Sequence, residues 1–237
     1  MEFVRRFHLA DFAVHIHAIG DAAVRTAVDA IEAARAADGI ASQHDGLAHV
    51  QLAHPDDVAR IGRDHLYVAY TYAWIDTERD YDLSVIPFID RVSGNDSAAL
   101  HPPAGYYELN AYPVRTTQQA GATLVAGSDA PVETSDPRPF INMERAVTRS
   151  LHGLPPLNSA QRIGIRDVID AYTINGARYL NRDGEAGSIE VGKSADFIVL
   201  DRDILALADG GRPQQIGRTR VLETWFMGRR VFNSRSH

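Results

Sequence analysis

Residues 11–34 read DFAVHIHAIGDAAVRTAVDAIEAA, and the pattern changes once along the way. Residues 11–19 are β-rich and run into Gly20-Asp21. From residue 22 to 37, Val24, Ala27, Val28 and Ile31 recur at helical spacing. That is a strand feeding a helix, and the same order returns downstream. Residues 47–52 form a short apolar strand, and Pro55-Asp56-Asp57 looks like the first turn of a helix reaching about residue 62. Residues 66–72 read as a third strand; a helix over 114–121 leads into a fourth over 122–127, which ends in Ser128-Asp129. Four strand–helix units in a row argue for a parallel α/β architecture, barrel or doubly wound.

Outward from this core, Phe3, Val4 and Phe7 mark the first ten residues as the end of a helix, and further helices are expected over 140–151 and 165–180. From Gly187 the pattern turns to short β runs at 188–191, 196–200, 221–226 and 229–232. The expected division is therefore a barrel-type domain over 1–185 and a small β-rich module over 186–237. Residues 73–107 are broken by Pro87, Gly94, Pro102, Pro103 and Gly105. A connection of that length suits a functional lid or binding loop, with a surface insertion as the plainer alternative.

Composition narrows the function. The 237 residues carry 24 Lys and Arg against 31 Asp and Glu, a formal charge of −7, with 45% hydrophobic and 23% charged residues, as in ordinary globular proteins. Without a basic block, nucleic acid and anionic membrane are not expected partners. No apolar run approaches the roughly 18 residues of a membrane span, and the first residues lack a signal peptide's apolar region, so a soluble, cytoplasmic chain is expected. Cysteine is absent, so any metal must be held by histidine and carboxylate, and there are ten histidines.

His15 and His17 are two apart on one strand, which sends both side chains to the same face. His17 lies near that strand's C-terminal end, as do His49 in the second unit and Asp129 after the fourth, and active sites of parallel α/β folds lie at that end. Singly, each has a plainer reading: a strand histidine is usually just hydrogen-bonded, and Gly-Ser-Asp is common as a turn or helix cap. Together they form the donor set that a hydrolytic zinc or another divalent ion requires when cysteine is absent.

The segments VHIHAIGDAAVRTAVDAIEAA (14–34), LAHVQLAHPDDVAR (47–60), GATLVAGSDAPVETSDPRPFINMERAVTR (121–149) and AGSIEVGKSADFIVLD (186–201) resemble the metal-dependent amidohydrolase superfamily. The similar branch is the amidohydrolase-3 group of N-substituted formamide deformylase-like enzymes. The resemblance implies a TIM-type (β/α)8 barrel with one or two divalent metal ions, zinc above all, plus a small β-sandwich built partly from the C-terminal tail. His17 matches the metal-binding histidine of the fifth barrel strand, His49 that of the sixth, and Asp129 the eighth-strand aspartate that binds metal and serves as catalytic base. His54 competes with His49, but it precedes Pro55 at a helix start. His15 is read as a neighbour of the metal ligands or as structural, and Asp21 as a helix cap. Tyr72, Trp74 and Arg149 are left open between shaping a substrate pocket and packing. The implied reaction is hydrolysis of an amide-like, non-peptide C–N bond in a small molecule; a related deaminase or cyclic amidase uses the same ligands.

Two features depart from the family's pattern. The family's first strand carries His-x-His, whereas His15-Ile16-His17 continues as the fifth-strand block. Its fourth strand usually carries a ligand, often a carboxylated lysine, and the only lysine here is Lys193, in the β tail. The length is close to the roughly 250 residues of a complete barrel, but it holds only strands five to eight. The expectation is a truncated amidohydrolase, the C-terminal half of a longer enzyme, that binds at most one ion. It should pair with a second copy or with an N-terminal half-barrel, because a half-barrel leaves open sheet edges and apolar surface. The alternative is a catalytically degenerate scaffold.

Overall fold

The computed structural model describes residues 1–39, 44–75, 77, 79–94, 96–131, 136–150 and 154–234. Helix α1 (Glu2–Leu9) comes first. It is followed by β1 (His15–Ala18), α2 (Asp21–Asp38), β2 (Gly46–His49), α3 (Pro55–Arg63) and β3 (Tyr67–Thr71). After a 3-10 turn at Tyr72–Trp74 come three short helices, α4 (Arg79–Val85), α5 (Ser97–Leu100) and α6 (Tyr106–Asn110). Helix α7 (Val114–Ala120) then leads into β4 (Thr123–Gly127). Strands β1 to β4 form one parallel sheet in sequence order, with β1 and β4 at its edges. Residues 73–107, expected to be irregular, hold these short helices, clamped by side chains: Asp90 accepts from the backbone N–H groups of Tyr106 and Tyr107, at 2.8 and 2.7 Å.

The sheet is layered by alternation. Leu47, Val68 and Leu124 share one register row and are buried with Val24, Val28 and Ile31 of α2 and Val58 and Ile61 of α3 in one core. The intervening row of His17, Ala48, Ala69 and Val125 faces the other way. Between α3 and α7 the approach is so close that a Cβ on Gly62 would lie 2.3 Å from the backbone of Ala120. A residue larger than glycine would force the helices apart there.

Beyond β4 follow α8 (Pro139–Thr148), α9 (Ile165–Tyr172) and α10 (Ile174–Tyr179). The single helix expected over 165–180 is broken at Thr173, whose backbone (φ −129°, ψ −97°) leaves the helical range. The helix expected over 140–151 ends at Thr148, and residue 151 lies outside the described residues. Strand β5 (Phe197–Leu200), helix α11 (Ile204–Asp209), β6 (Val221–Phe226) and β7 (Arg229–Asn233) complete the chain, and the three strands form an antiparallel sheet. Residues 188–191, expected as a strand, pair with no strand among the described residues: Ile189 and Val191 are exposed, so their apolar pattern has no packing to support it. Ile204, Leu207 and Ile216 return to the main core, where the Gly217 N–H donates to Glu144 of α8 at 2.8 Å. Among the described residues no helix is long and apolar enough to cross a membrane.

Candidate metal centre

Strict alternation would send His17 and His49 to opposite faces of the sheet, because His49 pairs with Ala18 and not with His17. The backbone overrides it. His49 (φ 72°) and Val50 (φ 44°) adopt the left-handed conformation, which costs a non-glycine residue about 1–3 kcal/mol. The His49 ring consequently meets that of His17 edge-on, with centroids 4.5 Å apart and planes at 69°. Strain of this kind at a strand end is held by its surroundings. The Nδ1 atom of His49 is 3.0 Å from the Thr71 hydroxyl, and Trp74 lies flat against the ring at 4.6 Å and 10°. Trp74 is in turn placed by Arg145 of α8, whose guanidinium donates to the Ala73 carbonyl.

Burial, followed by the neighbouring charge of His17, pushes the His49 imidazole below its usual 6.5, against the opposing pull of the Asp129 carboxylate. His49 is therefore neutral at pH 7, the form that ligates metal. His17 is exposed, and neither its side chain nor that of Asp129 makes a hydrogen bond among the described residues. Asp129 follows β4 and is also left-handed (φ 53°). The structure thus brings the two histidines into contact and sets Asp129 within electrostatic reach. Among the described residues, however, no three His, Cys, Asp or Glu side chains gather closely enough to hold a metal ion. Two adjacent imidazoles with free nitrogens fit part of a metal centre in donor chemistry. A third ligand does not close around them.

The other named residues divide clearly. His54 caps α3, its Nδ1 accepting from the Asp56 N–H at 3.2 Å, as its place before Pro55 implies. His15 hydrogen-bonds Tyr179 of α10 at 2.6 Å, at the strand's N-terminal end. Asp21 is a correction: the cap of α2 is Gly20, and Asp21 is the first helical residue, accepting from the Ala22 N–H and from the Tyr106 hydroxyl at 3.0 Å. Tyr72 and Arg149 are fully buried, the Arg149 guanidinium donating to backbone carbonyls, whereas Trp74 is half-buried against His49. Thr71 was not singled out by the sequence; its one signal is its position at the end of the strand beside β2. Two concavities, of about 490 Å³ beside His101, Glu108 and Asn158 and about 330 Å³ beside Asp21, Arg25 and His54, are not lined by the histidine pair.

A family model described as the amidohydrolase family matches residues 2–232. The chain is 38% identical over 114 residues to N-substituted formamide deformylase of Arthrobacter pascens, covering 48% of this chain and 21% of that protein. It is 27% identical over 239 residues to the putative amidohydrolase YtcJ of Bacillus subtilis, covering 97% of this chain and 39% of that protein. An uncharacterized metal-dependent hydrolase from Pyrococcus furiosus shares the fold, with a TM-score of 0.62 at 24% identity, over 86% of this chain and 36% of that one. The chain spans less than half the length of each of these proteins.

Proposed function

Because the chain belongs to the amidohydrolase family, we propose that it supplies the metal-binding face of a hydrolase acting on amide-like, non-peptide C–N bonds of small molecules. The observation that carries this reading is the contact of His17 and His49, maintained by a strained backbone at His49. Two imidazoles and a carboxylate, that of Asp129, are the donor types that suit a divalent ion such as zinc. An ion held there would lower the pKa of a water molecule to about 7 and polarise a substrate carbonyl. His17 and His49 present ring nitrogens from adjacent strands. Asp129 would accept the proton of the attacking water and deliver it to the departing nitrogen. Trp74 walls the site beside His49.

In this reading β1 to β4 are the last four strands of a (β/α)8 barrel within residues 1–185, and residues 186–237 belong to a small β-sandwich. The site is completed by another half-barrel. Both edges of the parallel sheet are unpaired among the described residues, and Phe3 and Phe7 of α1 and Phe12 ahead of β1 are exposed. The antiparallel sheet likewise leaves Phe226 and Val231 uncovered. Apolar surface of this kind marks a face that another polypeptide covers. Light scattering after size exclusion is expected to show an oligomer; a well-behaved monomer would contradict the pairing. For the reaction, N-formyl, N-acyl and cyclic amides are tested with and without added Zn²⁺. Zinc-dependent amine release that is lost in Asp129→Asn is expected. Turnover that is indifferent to both zinc and Asp129 would sink the reading.

A further inference from the structure

The insert between β3 and α7 and the chain after α8 enclose the concavity of about 490 Å³, a volume within the range that holds small-molecule ligands. Its walls are apolar and stiff, with Pro103 and Leu109 from the insert and Pro155, Pro156 and Ala160 from the later segment. The polar lining includes His101, Glu108 and Asn158, and their donors are already spent. Both ring nitrogens of His101 meet carboxylates, Nε2 with Asp82 at 2.9 Å and Nδ1 with Glu108 at 3.2 Å. An ionised carboxylate only accepts, so the ring donates both ways as an imidazolium. The backbone N–H of Asn158 donates to Oε1 of Glu108 at 2.8 Å, and its side-chain nitrogen donates to the carbonyls of Leu109 at 3.2 Å and Ala111 at 3.1 Å.

What remains on the cavity is acceptors. Asn158 is 7% exposed, and the two carbonyls at its side-chain nitrogen fix the orientation of the amide, because turning it over would set oxygen against oxygen. The amide oxygen Oδ1 has no partner among the described residues, yet it is not among the atoms sealed from solvent, so it opens on the cavity that Asn158 lines. Each oxygen of Glu108 keeps a lone pair besides. The Arg149 guanidinium shares the Ala111 carbonyl with Asn158, but it is fully buried and offers the cavity no donor. An acceptor-rich recess with apolar walls selects a ligand that brings the donors. We propose that this cavity binds a small primary ammonium ion with a compact apolar body, its N–H groups donating to Oδ1 of Asn158 and to the Glu108 carboxylate. The apolar body rests on the proline and leucine walls. The inference does not depend on a metal ion at His17 and His49.

The probe is cyclohexylmethylammonium, with cyclohexylmethanol and cyclohexanecarboxylate as controls of similar shape that bring one donor and none. Titration of the full chain, followed by nuclear magnetic resonance, is expected to show saturable shifts at the amides of Leu109, Ser159 and Ala160. The ammonium should bind at least about tenfold more tightly than the carboxylate, the worth of one charge-assisted hydrogen bond. Ala160 is exposed, so Ala160→Trp fills the cavity from its rim without disturbing a buried group and should abolish binding. Asn158→Gly suits the left-handed backbone there (φ 46°) and should weaken binding about tenfold. No saturable binding by the wild type, or binding that Ala160→Trp leaves unchanged, would remove the site. Equal or reversed affinities among the three probes, or wild-type affinity in a folded Asn158→Gly protein, would overturn the assignment of an ammonium ligand. If Asn158→Gly does not fold, the order of the probes and Ala160→Trp decide the case alone.

Discussion

Arg149 is the largest fully buried side chain among the described residues, and its replacement by methionine should destabilise the protein by about 3 kcal/mol. The guanidinium donates to three backbone carbonyls: Nε to Leu157 at 2.8 Å, Nη1 to Tyr112 at 3.2 Å and Nη2 to Ala111 at 3.2 Å. It thereby ties the segment after α8 to the segment before α7. Burial pushes it down to about 10, so it remains charged at neutral pH. Two of the three carbonyls keep other donors after the substitution, Ala111 from Asn158 and Tyr112 from Val114. The Leu157 carbonyl loses its partner, which costs about 1–3 kcal/mol, and two charge-assisted bonds are lost besides; release from holding a buried charge offsets part of this. Arg149→Lys should be no better, because one ammonium cannot reach three diverging carbonyls. Urea unfolding at pH 7 measures both, provided that the slope against denaturant stays constant. A loss below about 1 kcal/mol in Arg149→Met would refute the claim that this cation holds the two segments together.

A second prediction concerns pH. Burial alone would lower the His101 imidazole, but its contacts with Asp82 at 2.9 Å and Glu108 at 3.2 Å outweigh burial and push it up to about 9. A raised folded value stabilises fully below the unfolded value of 6.5, and the stabilisation is lost as pH rises through 9. Unfolding free energy should fall across that window by on the order of 2 kcal/mol, and His101→Gln should flatten the decline; an equal slope in both proteins would exclude the clamp. The third concerns α1. Asp45, fully buried, joins His8 at 3.0 Å, Arg35 at 2.9 Å and the Val14 N–H at 3.0 Å. Asp45→Ala should cost about 3–5 kcal/mol, the usual effect of removing one partner of a buried ion pair. Hydrogen exchange should accelerate in α1 before the sheet; unchanged protection there would show that the carboxylate does not dock the helix.

The strands and helices around the parallel sheet were legible because Val24, Val28 and Ile31 obey a helical period, and Leu47 opens a short apolar run, that burial then rewards. Their ends were less so. Residues 11–14 have β composition, but the Val14 N–H bonds to the Asp45 side chain in place of a neighbouring strand, and β1 starts at His15. The second strand stops at His49, where the left-handed backbone begins, and nothing in LAHVQL marks that turn. The site follows the same division. His17 and His49 were visible as strand-end histidines, and His54 as a cap from Pro55. Thr71 was not, because its bond to His49 depends on a backbone conformation that no residue type at positions 49 or 50 announces.

The central claim is that His17 and His49 together bind a divalent ion. Equilibrium dialysis of the chain against Zn²⁺, followed by metal analysis of wild type, His17→Ala and His49→Ala, tests it most directly. The account predicts one weakly bound ion in the wild type and a clear loss in each variant, with unfolding midpoints showing that both variants remain folded. Equal zinc content in all three proteins would contradict it.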